Sequence, residues 1–231
     1  MNMNRTKKIL IHELRKYDQK YFEGERELSF SRIKNTVDLL GNINEKKILD
    51  IGCGTGEGSI LLRKLGAKVV SLDAAKYAIS TCASLKFEGV LAVAHALPFR
   101  EKSFDCVLLM DVIEHISKDL EKQCLFEIKR VIKHKGKIAI HTMPNMLLEK
   151  LSIIYGLINR KHWRRWGAGG HINTYTPWKL KKALRSVDLE IEYFRIGDYP
   201  SDAPFSSIIS PLSHQLQKLL GNDFWVCCTK N

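Results

Sequence analysis

The sequence predicts an α/β fold in which helices cover a mostly parallel sheet. From residue 47 onward, short apolar runs of strand length alternate with amphipathic segments of helical period. One apolar run, residues 48–51, ends in an acid and a glycine-dense turn before a helical pattern begins. The length of 231 residues suits a single domain with a sizeable core.

The predicted elements follow one another at regular intervals. Apolar residues at near-helical spacing predict one or two helices within residues 4–41, which we expect to cap a ligand cleft. Strands are predicted at 48–51, 68–72, 90–93, 104–110 and 137–142, and helices at 57–65, 76–87, 119–132 and 177–186. Strands 189–196 and 223–229, with a helix near 212–220 between them, are expected to complete the sheet as a hairpin. Right-handed crossovers would bring the carboxyl ends of the parallel strands to one edge, where ligands bind.

An insertion interrupts this rhythm at residues 146–170. It combines an apolar helical face with the basic and aromatic run of residues 160–166. The segment is too short and too charged to span a membrane. Two interpretations stay open: a lid helix that packs on the core, or an interfacial helix whose Trp and Arg side chains meet lipid head groups or a phosphorylated substrate.

Composition limits the class of protein. The hydrophobic share of 45% and the charged share of 27% are typical of a soluble globular protein. A formal net charge of +12 would attract phosphate-bearing partners or anionic membranes. The six cysteines show no metal-ligand spacing and lie mostly in apolar segments, and the first 20 residues lack the apolar core of a signal peptide, so we expect no metal site and a reducing, cytoplasmic location.

The glycine turn at residues 52–58 is the most specific motif. Its spacing does not fit a dinucleotide fingerprint, because Glu57 stands where the third glycine belongs, and no lysine follows where a phosphate loop needs one. The segment Asp50, Gly52, Gly54 and Gly56 instead resembles the D-x-G-x-G-x-G motif of the class I S-adenosylmethionine-dependent methyltransferases.

The resemblance continues downstream. Residues 97–99 (Leu-Pro-Phe) with 103–105, and residues 111–116 with Glu114 and His115, resemble the small-molecule branch related to ubiquinone biosynthesis. The resemblance implies a Rossmann-like, doubly wound, seven-stranded sheet with an antiparallel last strand, N-terminal helices and an inserted lid helix. It implies S-adenosyl-L-methionine as cofactor and S-adenosyl-L-homocysteine as product. The implied cofactor residues are Asp50, Gly52, Cys53, Gly54, Gly56, Asp73, Ala74, Ala94, His95, Ala96, Met110 and Asp111.

Two cofactor positions have alternatives. Asp73 ends the second predicted strand, where a carboxylate can accept hydrogen bonds from both ribose hydroxyls, but it could also cap the following helix. Val93 replaces the acid that the family uses at the adenine amino group, so His95 or the backbone alone would recognise the base. Asp105 is expected to be structural, at the start of its strand.

Two histidines are the candidate catalytic bases. His115 would face the methyl donor and take a proton from an acceptor hydroxyl, or else it orients its loop. His171 lies in a segment resembling the H-x-x-x-[FY]-[ST]-P motif and would reach the acceptor or hold the lid, with His141 a weaker candidate. Thr176 is predicted to cap the helix that starts at Pro177.

The sequence therefore predicts one methyltransferase domain over residues 1–231. Its parts are an N-terminal helical cap (1–43), a cofactor-binding core (44–143), an inserted lid and acceptor region (144–175) and the completion of the sheet (176–231). The expected reaction is methyl transfer to a hydroxyl of a small-molecule or lipid-linked acceptor, with peripheral contact to an anionic membrane or a phosphorylated substrate. An RNA methyltransferase and a degenerate cofactor-binding regulatory module are the alternatives. The absence of a continuous basic run or an appended RNA-binding module disfavours nucleic acid.

Overall fold

The computed structural model describes residues 30–143, 146, 172–197, 221 and 223–230. In chain order the elements are α1 (Phe30–Asp38), β1 (Lys47–Ile51), α2 (Glu57–Lys64), β2 (Lys68–Asp73), α3 (Lys76–Ser84), β3 (Glu88–Leu91), β4 (Phe104–Met110), a 3-10 helix (Ile113–His115), α4 (Lys118–Val131), β5 (Ile132–Thr142), α5 (Pro177–Arg185), β6 (Leu189–Ile196) and β7 (Phe224–Lys230).

The strands form a seven-stranded sheet in the order β3-β2-β1-β4-β5-β7-β6. β3, β2, β1, β4 and β5 pair in parallel, and β7 runs antiparallel to both β5 and β6. The predicted α/β sheet with an antiparallel last strand is thus confirmed. The order reverses between β1 and β4, and the crevice at such a switch point is where open α/β sheets bind ligands.

The core lies on both faces of the sheet. In β4, Val107 and Leu109 face one layer of helices, and Cys106 and Leu108 face the other, because side chains alternate along a strand. α4 and α5 contribute the first layer, and α1 and α2 contribute the second. Strands buried on both faces explain why the sequence shows near-continuous apolar runs there.

Most predicted boundaries agree with the structure to within about one residue, and three that differ by more have a structural reason. α3 ends at Ser84 rather than at residue 87, because Lys86 takes a left-handed conformation (φ 59°) and the Phe87 amide turns back to the Cys82 carbonyl. β3 begins at Glu88, earlier than predicted. β5 begins at Ile132, directly after α4, because Ile132 already pairs with Phe104 before a register shift.

Several sequence predictions lie outside the described residues: the N-terminal helices before Phe30, most of the insertion, and the helix near 212–220. The division of the chain at residues 43, 143 and 175 stays a prediction. Within the described ranges, no helix combines the length and the apolar character that crossing a bilayer requires. All six cysteines are buried free thiols, as small hydrophobic side chains would be.

Candidate active site

The glycine turn follows β1 directly at the switch point of the sheet. Gly52, Gly54 and Gly56 all have positive φ values, of 71°, 53° and 96°. The amides of Gly52 and Cys53 donate to the Leu72 carbonyl at 2.7 and 3.1 Å, which ties the turn to the end of β2. A Cβ atom at Gly52 would overlap the Val112 side chain, so the turn after β4 packs closely against the glycine loop. The glycine loop therefore forms a cradle of backbone between the ends of β2 and β4.

Asp50 and Cys53 support the loop from below. Asp50 is 3% exposed and accepts a hydrogen bond from Ser59 Oγ at 2.6 Å. Burial raises the pKa of Asp50 to about 6. The Cys53 thiol lies 3.4 Å from the Cys82 thiol, beneath the loop. Asp50 therefore ties the end of β1 to α2, and Cys53 ties the loop to α3.

Asp73 stands at the end of β2 beside this loop. Its carboxylate accepts hydrogen bonds from the Gly54 amide at 3.0 Å and the Ala75 amide at 2.8 Å. Burial raises the pKa of Asp73, against those amide hydrogen bonds, which lower it. The N-cap residue of α3 is Ala75, so the alternative of Asp73 as the helix cap does not hold. The adjacent Ala74 is half-buried on the same edge.

The next strand end carries the predicted adenine residues. The Ala92 amide donates to the Asp73 carbonyl at 3.0 Å, which brings this segment next to Asp73. Ala94 and His95 are half-buried and Ala96 is exposed; burial lowers the pKa of His95. His95 is therefore neutral near pH 7 and can accept or donate a hydrogen bond.

The Leu-Pro-Phe loop that follows is held by α4. Arg130 donates to the carbonyls of Phe99 at 2.7 Å and Leu97 at 3.0 Å, and Glu127 accepts from the Leu97 amide at 2.8 Å. Asp105, at the start of β4, accepts from the Lys47 amide at 2.8 Å and pairs with Lys133. Asp105 is structural, as predicted.

Asp111 follows β4 and is held by two cations. Its backbone has a φ of 53°, and its carboxylate contacts His141 Nδ1 at 2.6 Å and Arg32 Nη2 at 3.5 Å. The other ring nitrogen of His141, Nε2, lies 3.2 Å from Asp223 Oδ2. Burial lowers the pKa of His141, but the hydrogen bonds and charges of the two carboxylates outweigh it and raise that pKa to about 9. Met110, at the end of β4, is half-buried against the α1 side of the core.

The 3-10 helix carries Glu114 and His115. Glu114 is 1% exposed, and Thr142 Oγ1 donates to its carboxyl group at 2.8 Å. Burial and the nearby charge of Asp111 raise the pKa of Glu114 to about 8. His115, in contrast, is only partly buried. The Glu114 carboxyl group is thus enclosed by the fold, whereas part of His115 remains exposed.

The segment after the insertion docks on this 3-10 helix. The amides of Ile172 and Asn173 donate to the Glu114 carbonyl at 3.0 and 2.9 Å. Tyr175 Oη donates to Glu121 of α4 at 2.6 Å. Thr176 caps α5 by accepting from the Lys179 amide, and Pro177 is the first helical residue, as predicted. His171 lies outside the described residues, so its predicted role stays a prediction.

Sequence reasoning missed Arg32 and Asp223. Arg32 lies in α1, where the helical periodicity of the sequence indicates only which residues form the apolar face. Asp223 precedes β7 and meets His141 across 82 positions of chain. Neither sits in a motif, and only the folded sheet brings them to the strand ends. The described residues contain no cluster of His, Cys, Asp or Glu arranged for a metal ion.

Comparison with known proteins decides the family. Residues 49–140 match the family model described as "Methyltransferase domain". The demethylmenaquinone methyltransferase of Thermotoga maritima is 31% identical over 214 residues, which cover 82% of this chain and 91% of that protein. The chain belongs to the class I S-adenosylmethionine-dependent methyltransferases.

Two further methyltransferases are similar to the chain. The ubiquinone biosynthesis O-methyltransferase of Pelagibacter ubique is 30% identical over 164 residues, which span 68% of this chain and 63% of that protein. The crystal structure of a methyltransferase from Archaeoglobus fulgidus superposes with a TM-score of 0.64, with 23% identity over 92% of this chain and 97% of that one, and agrees in fold. S-adenosylmethionine is therefore the cofactor of this methyltransferase.

Proposed function

We propose that this methyltransferase transfers a methyl group to a hydroxyl oxygen of a small-molecule or lipid-linked acceptor of the quinol class. The contact between Val112 and Gly52 carries the proposal, because it brings the turn that bears His115 directly beside the glycine loop. Two relatives whose names are ubiquinone biosynthesis O-methyltransferase and demethylmenaquinone methyltransferase support an acceptor of this class.

The cofactor fits the cradle at the strand ends. Gly52, Gly54 and Gly56 all have positive φ values, and because these residues carry no Cβ atom the backbone of the loop permits the close approach of a ligand. We assign the ribose hydroxyls to the Asp73 carboxylate, and the adenine to the backbone of residues 94–96 together with His95. Cys53, Ala74 and Met110 complete this set through their backbone, while the buried Asp50 acts by holding the loop.

The methionine end of the cofactor has a match on the β4 side. We assign its ammonium group to Asp111 and its carboxylate to Arg32. The Nε atom of Arg32 is buried and has no hydrogen-bond partner among the described residues. A guanidinium presents its donors in a planar fork that suits a carboxylate, and a buried unpaired donor is unfavourable until it gains one.

The residues of the chain handle the proton. The cofactor supplies an electrophilic methyl group on a positively charged sulfur. Positioning of the acceptor in line with this group provides most of the acceleration. The imidazole of His115 accepts the hydroxyl proton as the oxygen attacks, which adds about 10² to 10⁴-fold. His141 cannot serve as this base, because it is fully buried and both of its ring nitrogens face carboxylates.

The test is transfer of labelled methyl groups. The protein is incubated with methyl-labelled S-adenosylmethionine and catechol or quinol acceptors of increasing chain length, and products are identified by mass spectrometry. We expect a methoxy product, and a kcat about 10² to 10⁴-fold lower for His115→Asn. His134→Asn is the matched control, because His134 is an exposed histidine on β5 and should leave the rate unchanged.

Other outcomes would identify the alternatives. The net charge of +12 keeps RNA as the second candidate acceptor. Label that appears only in tRNA, with binding that weakens steeply as salt is added, would replace the proposal by an RNA methyltransferase. Binding of S-adenosylhomocysteine without labelled product from any acceptor class would indicate a regulatory module.

A further inference from the structure

A buried chain of ionisable groups links the C-terminal part of the sheet to the proposed cofactor site. His141 is fully buried at the end of β5, between Asp111 Oδ1 at 2.6 Å and Asp223 Oδ2 at 3.2 Å. The two aspartate side chains are only 15% and 14% exposed. The bridge thus joins the turn after β4 to the residue before β7, with one imidazole as the connector.

The electrostatics of the cluster favour the cationic form of His141. Two carboxylates packed against one buried imidazole would repel each other without a positive charge between them. Among the described residues, the charged and titratable groups around the ring are Asp111, Glu114, Asp223 and Arg32; the indole of Trp225 on β7 completes the wall, with its ring centroid 5.0 Å away. The imidazolium and the Arg32 guanidinium balance the two aspartates.

Asp111 needs such a support. Its φ of 53° is a left-handed conformation that a non-glycine residue adopts at some energetic expense, and surrounding contacts must hold it. His141 supplies two of these contacts: its carbonyl accepts from the Asp111 amide at 3.1 Å, and its ring meets the Asp111 carboxylate. The next residue, Val112, packs on Gly52, so a shift of Asp111 reaches the glycine loop.

We propose that His141 is a positioning residue, which fixes Asp111 beside the glycine loop by bridging it to Asp223. The inference rests on the proposed assignment of Asp111 to the cofactor. His141 acts through Asp111 and touches neither acceptor nor cofactor. It makes binding of the cofactor depend on the protonation of a buried imidazole and on a residue of the C-terminal strand region that no motif indicates.

The test measures the affinity for S-adenosylhomocysteine by calorimetry between pH 6 and 10. His141→Gln removes the charge and keeps an amide donor; Asp223→Asn keeps the charge and weakens its support. His134→Gln, at an exposed position of the same strand, is the control. At pH 7 we expect affinity at least about 10-fold weaker in His141→Gln, because the hydrogen bond to Asp111 loses the positive charge that strengthens it, and unchanged affinity in the control.

The pH profile separates positioning from a purely structural role. Wild-type affinity should fall as the imidazole loses its proton, and Asp223→Asn should move that fall about one pH unit lower, because one of the two supporting carboxylates is gone. The ammonium group of the ligand titrates in the same range, but it is common to all variants, so the difference between profiles reports His141. NMR of the histidine ring in the wild-type protein checks the protonation directly.

The outcomes are distinct. The positioning role would be overturned, and the proposed function left intact, by either of two results. One is that both variants show the same dependence of S-adenosylhomocysteine affinity on pH as the wild-type protein. The other is that the His141 ring is neutral at pH 7. Failure of the wild-type protein to bind S-adenosylhomocysteine would overturn the cofactor site, and this inference with it. If His141→Gln does not fold, Asp223→Asn and the wild-type ring titration still decide the matter.

Discussion

The substitution Gly52→Ala tests whether the close approach of the 111–115 turn to the glycine loop shapes the site. Gly52 has a φ of 71°, and an added Cβ atom would overlap the Val112 side chain. Gly41 provides a matched control, since its φ is 70° and an added Cβ atom would meet nothing within 4 Å. The two variants share the backbone strain and differ in the overlap.

The expected magnitudes follow from these two terms. Placing an alanine in the left-handed region destabilises a protein by about 1–2 kcal/mol, so Gly41→Ala should lower the free energy of unfolding by about that amount. Overpacking against Val112 adds about 1–3 kcal/mol in Gly52→Ala. Only the second variant should also weaken binding of S-adenosylhomocysteine, by at least about 10-fold, because the loop and the Asp111 turn must separate.

The assay combines urea unfolding with calorimetry on the same preparations. A folded Gly52→Ala variant that binds S-adenosylhomocysteine as tightly as Gly41→Ala does would refute the reasoning. Equal losses of stability in the two variants would show that the Val112 side chain can move aside at no cost in free energy, and that the contact between Val112 and Gly52 does not determine the shape of the glycine loop.

Three further predictions concern charge. Asp73→Asn should weaken binding of S-adenosylhomocysteine by about 10 to 100-fold in calorimetry, because a charged acceptor for the ribose hydroxyls is lost; Asp188→Asn, at a side chain 89% exposed, should have no effect. The folded state raises the pKa of His141 to about 9, so the protonated imidazole stabilises the fold by about 3 kcal/mol below pH 6.5. This stabilisation is lost as pH rises to 9, and the melting temperature in thermal denaturation should fall between pH 6.5 and 9. Burial also raises the pKa of Glu114 to about 8 in the folded state, so ionisation of this group should lower the stability of the wild-type protein as pH rises from 4.5 to 8. Glu114→Gln should remove this part of the decline, because the amide mimics the neutral carboxyl group. An unchanged profile would show that Glu114 is ionised in its buried site.

The sheet, and the closeness of Asp73 to the glycine turn, were predictable because their signals are local. The glycine spacing and the position of Asp73 lie within one strand-turn-helix-strand unit, and their juxtaposition follows from the right-handed crossover of parallel strands. The end of α3 was predicted wrongly, because helical periodicity continued past Ser84 while Lys86 took a left-handed turn that buries Phe87. The local sequence pattern does not show that burial of Phe87 in the folded protein ends the helix early.

The charged cluster of Asp111, His141 and Asp223 could not be predicted for a different reason. In the sequence, His141 is only a histidine within an apolar strand, and its partners Asp111 and Asp223 lie 30 and 82 positions away. His141 meets Asp223 because β7 lies beside β5, and this antiparallel pairing at the end of the sheet is not visible in local sequence. The pairing is a property of the topology, and it is the basis for proposing that His141 is a positioning residue rather than a candidate base.

A crystal structure of the complex with S-adenosylhomocysteine tests the central claim most directly. We predict the ribose hydroxyls within hydrogen-bond distance of the Asp73 carboxylate, the methionine carboxylate on Arg32, and the sulfur turned toward the His115 side of the 3-10 helix. A ligand whose ribose lies away from Asp73, or whose sulfur is shielded from His115, would contradict the proposed site and its base.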